Sequence, residues 1–208
     1  MDSCFRYCTQ FVKYWAMVRG INSAASSTFN SFALSLLTLN YFQHSLGRLP
    51  SFRALVSERS AHSFHFGFDE SQVRPSSTEV IASEEELTSI LCGFFEHWHS
   101  FDFENQIVSC TESQFKSKED QCNSLDPLES SVVVIEDPLE KTNVARTLSQ
   151  HSFQKISLEF ERAANLMCKF ERSGDIQLLN KLLQEKETHN SFKNSKFDRR
   201  WTSRAKRR

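Results

Sequence analysis

Apolar positions recur at helical spacing near the start of the chain, at Phe11, Val12, Trp15, Val18 and Ile21, with Gly20 marking a turn at the end. A helix with one buried stripe is expected there. A second helix should follow Asn30 or Ser31, either of which can serve as its N-cap. Its apolar residues Phe32, Leu34, Leu36, Leu37, Leu39, Tyr41 and Phe42 run nearly all round, which predicts burial on most sides. Pro50 and the Ser/His-rich stretch to Ser63 read as loop. Ser83 and Glu86 have capping-box spacing and open a helix through roughly His99. Asn105 to Cys110 reads as a strand, and Gln114 to Ser131 as a polar excursion, disordered or on the surface. The β-branched run Val132 to Ile135 predicts a buried strand. Pro138 has no N–H for a ladder and should end it, leaving acids on the loop beyond. Ser149 or Ser152 starts a last long helix with Phe153, Ile156, Phe160, Ala163, Ala164 and Met167 on one side. After Gly174 a polar helix is expected to about Thr188, followed by an unstructured remainder. The pattern as a whole is α+β, mainly helical, with a few short strands.

Composition narrows the chemistry. The 208 residues have a formal net charge of -1, so there is no global pull toward nucleic acid. Five glycines and four prolines exclude collagen-like or linker-dominated sequence. The six cysteines form no metal-like pair, because Cys4 and Cys8 share a helical face with no His or second pair nearby. His44, His62, His65, His97, His99 and His151 show no spacing that suggests a catalytic dyad. No apolar run approaches the length of a membrane span, and the first residues have neither the charge nor the apolar core of a signal peptide.

The segment Val134-Ile135-Glu136-Asp137-Pro138-Leu139-Glu140-Lys141-Thr142-Asn143-Val144-Ala145-Arg146-Thr147 carries the chemistry. Taken as residues alone it is a solvated turn that presents carboxylates and an amide. It resembles the nucleotide-recognition segment of the RNA 3′-terminal nucleotidyltransferases, the group within the DNA polymerase beta-like superfamily that holds cytoplasmic and mitochondrial poly(A) polymerases and terminal uridylyltransferases. Two further blocks are similar to that family in the same order. One is Phe11 to Asn22 followed by Thr28 to Leu37. The other is Gly67-Phe68-Asp69 with Leu87 to Glu96 and Phe101-Asp102-Phe103, which looks like the start of a PAP-associated domain.

The resemblance implies the C-terminal part of a central nucleotidyltransferase domain over residues 1–62. It implies a PAP-associated domain over 63–170, with its recognition loop at 135–147, and a polar helix with basic tail over 171–208. The implied reaction is template-independent addition of nucleotides from NTP to an RNA 3′ end, with Mg²⁺ or Mn²⁺ in the complete enzyme. In the family three carboxylates on a separate N-terminal domain hold the metals, two of them in a Gly-Ser … Asp-x-Asp pattern. No such pattern occurs in this sequence. Catalytic and metal-binding residues are therefore expected to be absent from this chain, which should be inactive alone and require the missing N-terminal catalytic domain. A catalytically inactive RNA- or protein-binding scaffold, or a fragment of a uridylyltransferase, is the competing reading. The location implied is intracellular, cytoplasmic or nuclear, with mitochondria also open.

Nucleotide contacts are implied for Lys13 and Ser31 (phosphates), Phe32 (base stacking) and Asp137, Glu140 and Asn143 (the recognition loop). Met17 stands where many relatives carry a second lysine, and a thioether cannot pair with phosphate. Arg19 or another cation would compensate, or triphosphate affinity would fall. Uridylyltransferases place a His directly before the Asn, whereas only Lys141 and Thr142 separate Glu140 from Asn143 here. A carboxylate accepts from the adenine amino group but cannot donate to uracil O4, so ATP is favoured over UTP. Arg199, Arg200, Trp201 and Arg204 mix charge with an aromatic ring and are candidate RNA contacts, although a solvated tail explains them as well.

Overall fold

The computed structural model describes residues 2–61, 83–112, 116–119 and 131–185. Helix α1, Ser3–Val18, begins at Asp2, whose carboxylate accepts from the Phe5 amide, and ends just before Gly20 at φ +68°. Its stripe of Cys4, Cys8, Val12, Trp15 and Ala16 is buried. Helix α2, Ser31–Asn40, is capped by Asn30 rather than Ser31 and runs into a single π turn, Tyr41–Ser45. Helix α3 spans Phe52–Ala61 and corrects the expected loop. Ser51 Oγ accepts from the Ala54 amide, and the Phe52 and Arg53 amides donate to the carbonyls of Cys110 and Thr111. This start is fixed by tertiary contacts, which local composition does not show.

Helix α4, Glu84–Ser100, opens as expected with Ser83 Oγ accepting from the Glu86 amide. The Glu86 carboxylate does not reach back to complete a capping box but pairs with Arg48 at 2.7 Å. Strand β1 is only Gln106–Ile107, and it pairs antiparallel with β2, Lys116–Ser117, inside the stretch expected to be an excursion. Helix α5, Gln150–Ser173, is capped by Ser149 and closed by Gly174 at φ +66°, so it runs past the boundary expected at 170. Helix α6, Ile176–Leu182, is shorter than anticipated. Gly67 to Asp69, the end of that polar segment and the basic tail lie outside the described residues.

One core joins these elements. Trp15 of α1 packs at 4.8 Å between ring centroids on Phe95 of α4 and at 5.2 Å on Phe160 of α5. Val133, Val134 and Ile135 are almost fully buried, as a β-branched run predicts. The run makes no long strand: Ile135 forms an isolated bridge beside Val108, and Glu136 forms another opposite Asn143.

Candidate nucleotide-recognition site

The segment from Ile135 to Val144 folds back on itself as a short hairpin. Glu136 bridges Asn143, the Val144 amide donates to the Ile135 carbonyl, and the Asp137 amide donates to that of Thr142. The tip turns because Asp137 Oδ1 accepts from the amides of Leu139 at 2.8 Å and Glu140 at 3.2 Å, an Asx-type turn. Lys141 completes the reversal with φ +55°. Glu140 and Leu139 are exposed, and Asp137 is half-buried.

Asn143 has a different place from the other implied contacts. It is 4% exposed, and its Oδ1 accepts from the amides of Ile135 and Ala145 while its Nδ2 donates to the Val133 carbonyl. The amide holds the hairpin together instead of facing a ligand. Glu136 is likewise turned inward: Ser109 Oγ donates to it, and Lys116 Nζ lies 3.0 Å away. Of the acids before and after Pro138, only Asp137 and Glu140 are presented on the loop.

The N-terminal end of α2 is bound to this hairpin by Asn30, whose Nδ2 donates to the Val144 carbonyl at 3.3 Å. The far end of the helix is fixed to the neighbouring segment, where Cys110 Sγ donates to the Leu36 carbonyl and Asn40 Nδ2 to that of Ser109. Burial pushes the Cys110 thiol up to about 12, so it remains a neutral donor. Ser31 and Phe32 therefore stand at the end of a helix clamped along the loop. Ser31 Oγ exchanges hydrogen bonds with the Asn22 side chain at 3.2 Å, and Phe32 is 47% exposed. In so apolar a helix, Phe32 is the large ring left facing solvent.

Lys13 is half-buried on α1, and its ammonium group makes no hydrogen bond or ion pair with the described residues. Ser31, Phe32 and the hairpin are thus joined to one another, whereas Lys13 has no hydrogen bond to any of them. Met17, one turn on, is exposed. Arg19 does not compensate for it, because its guanidinium forks onto both oxygens of Glu159 at 2.9 Å and donates to the Gln184 carbonyl. Arg199, Arg200, Trp201 and Arg204 lie outside the described residues. Among the described residues no group of three or more His, Cys, Asp or Glu side chains could hold a metal ion. Nor is any described helix long and apolar enough to cross a membrane.

The sequence names Asp137, Glu140, Ser31 and Phe32 as candidate contacts, and the structure puts the first two on the hairpin tip and the other two in the first turn of α2. The sequence assigns Asn30 only a capping role and does not point to Ser109 or Lys116 as the partners of Glu136. An acid that directly follows a buried β-branched run calls for a cation or donor, but which one answers depends on the chain's long-range path.

Comparison with known proteins accords with this architecture. The PAP-associated family model, described as Cid1 family poly A polymerase, matches residues 86–143. The poly(A) RNA polymerase GLD2 of Xenopus tropicalis is 26% identical over 156 residues, 73% of this chain and 29% of that protein. A cytoplasmic RNA terminal U-transferase has a TM-score of 0.67 and 26% identity over 90% of this chain and 60% of that one. A His-to-Asn variant of the Cid1 poly(U) polymerase bound to MgATP has a TM-score of 0.68 and 25% identity, covering 89% and 56%. Over most of its length the chain is similar to RNA 3′-terminal nucleotidyltransferases, and residues 86–143 match the PAP-associated domain of that family. It spans less than a third of GLD2 and under two thirds of the two solved chains.

Proposed function

We propose that this chain supplies the base- and phosphate-recognition part of an RNA 3′-terminal nucleotidyltransferase that favours ATP over UTP. The incoming base stacks on Phe32, the carboxylates of Asp137 and Glu140 accept from its edge, and Ser31 and Lys13 meet the phosphates. Asn143 acts from beneath by shaping the hairpin. The RNA 3′ end and the catalytic metals belong to the complete enzyme. The observation that carries this reading is the exposed Phe32 ring at the start of a helix clamped to an acid-tipped hairpin.

The lean to ATP follows from the donors and acceptors at the tip. Asp137 Oδ1 already serves two backbone amides, and its other oxygen can only accept. Adenine offers an amino group to such an acceptor, whereas uracil O4 needs a donor. Uridylyl preference is the second reading, favoured by the likeness to a U-transferase and by Lys141, an exposed donor on the same turn.

Titration of the 208-residue chain with ATP and UTP tests both. Wild type is expected to bind ATP more tightly, and Phe32→Ala to weaken both nucleotides by about 5- to 150-fold, as for losing one stacked base. Inserting His between Thr142 and Asn143 should raise the UTP/ATP affinity ratio. Tighter UTP binding by wild type would establish the uridylyl reading instead, and no binding of either would sink the nucleotide site.

A further inference from the structure

The two ends of the Asn30 amide do separate work. Its Oδ1 accepts from the Ala33 amide at 2.7 Å and caps α2. Its Nδ2 donates to the Val144 carbonyl, 114 residues along the chain. Val144 lies on the returning arm of the recognition hairpin, between the buried hub Asn143 and buried Ala145. The tip carrying Asp137 begins at its tie to Thr142, two extended residues away, or about 7 Å. Phe32 is in the first turn of the helix that Asn30 caps. The Asn30–Val144 bond thus connects the helix start bearing the aromatic face to the hairpin bearing the acids.

A base held by its face and its edge at once needs those two groups at a fixed separation, and they come from opposite ends of the sequence. A displacement of about 1 Å is enough to misalign edge hydrogen bonds without abolishing stacking. Phosphate contacts, which depend on neither the ring's distance from the hairpin nor the tip's geometry, would survive it. We infer that Asn30 is a positioning residue for base selection, a strut that sets the spacing between the Phe32 ring and the Asp137–Glu140 tip. The inference rests on the nucleotide reading proposed above and assigns specificity within it to a residue that touches no nucleotide.

Two substitutions separate the cap from the strut in the full 208-residue chain. Asn30→Ser keeps a hydroxyl cap but is too short to reach Val144. Asn30→Asp keeps a carboxylate cap and has no donor. Each is measured by amide hydrogen exchange and by titration with ATP, UTP and inorganic tripolyphosphate. In both variants α2 should remain protected while the amides of Asp137 and Val144, which close the hairpin, exchange about tenfold faster or more. In Asn30→Ser the ratio of ATP to UTP affinity should move toward 1 by about fivefold or more, with tripolyphosphate affinity unchanged. Asn30→Asp adds charge, so its phosphate affinity is read only against Asn30→Ser. Equal losses for all three probes in Asn30→Ser would mean a structural role alone and would overturn the inference. Unchanged hairpin exchange in both variants overturns the strut whatever the nucleotides do. A wild-type chain that binds neither ATP nor UTP overturns the underlying nucleotide reading whatever the exchange shows.

Discussion

Gly93 faces Tyr41 across the interface between α4 and the π turn, and a Cβ added there would overlap the tyrosine hydroxyl. The ring carbon behind that hydroxyl would be at 3.5 Å, an ordinary contact. Gly93→Ala is therefore expected to destabilise the chain by about 1–3 kcal/mol in denaturant melts. Adding Tyr41→Phe should restore most of that loss, because only the oxygen is in the way; a double mutant no better than Gly93→Ala would show the backbone to be the obstacle. Tyr41 is buried, which pushes its hydroxyl up to about 12, yet it and exposed Phe32 belong to one apolar run. The pattern makes that run legible as buried helix but not which ring stays outside, since exposure at the first turn is set by what covers it. Asn143 shows the same limit. An amide in a polar loop reads as a ligand contact until the fold brings Val133, Ile135 and Ala145 around it.

Helix α6 is only one to two turns long, and its docking depends on two arginines from elsewhere. Arg162 donates to the carbonyls of Lys181 and Leu182, and Arg19 to that of Gln184, near the negative end of the helix dipole. Glu159 stands between the two guanidinium groups, 2.9 Å from Arg19 and 3.0 Å from Arg162. Burial pushes its carboxyl up, but the hydrogen bonds and charges of Arg19 and Arg162 prevail and hold it below the usual carboxylate range. Folded chains thus bind this proton less readily than unfolded ones. The resulting stabilisation is complete above the unfolded value of about 4.3 and is lost as pH falls through the folded value. Glu159→Gln is expected to cost about 3 kcal/mol at neutral pH and to flatten stability against pH in the acid range, as followed by circular dichroism. An unaltered acid profile would remove Glu159 from that account. The spacing of Phe153, Ile156 and Phe160 makes α5 readable from the sequence, because its stripe is local. Helix α3 is not readable in the same way, because its first turn takes its hydrogen bonds from Cys110 and Thr111.

At the scale of the molecule, the first and last long helices share one core, so neither half of the sequence can be expected to fold without the other. Truncation after Ser149 removes the partner of Trp15 on α5 and should leave a chain without cooperative thermal unfolding. Retained cooperative melting would show that α1, α2 and α4 suffice. Because its 208 residues contain no Gly-Ser … Asp-x-Asp pattern, the intact chain alone is expected to extend no RNA primer with ATP or UTP, with either Mg²⁺ or Mn²⁺. Detectable tailing on a sequencing gel would require a different set of metal ligands. The Arg19–Glu159 pair also sets a schedule for synthesis. Its members are 140 residues apart, so at roughly 5–20 residues per second the end of α1 waits on the order of 7 to 30 s for its partners on α5. During that time Trp15 of the nascent helix has no Phe160 to pack against, and holdase chaperones that bind apolar helices should compete for it until α5 leaves the ribosome.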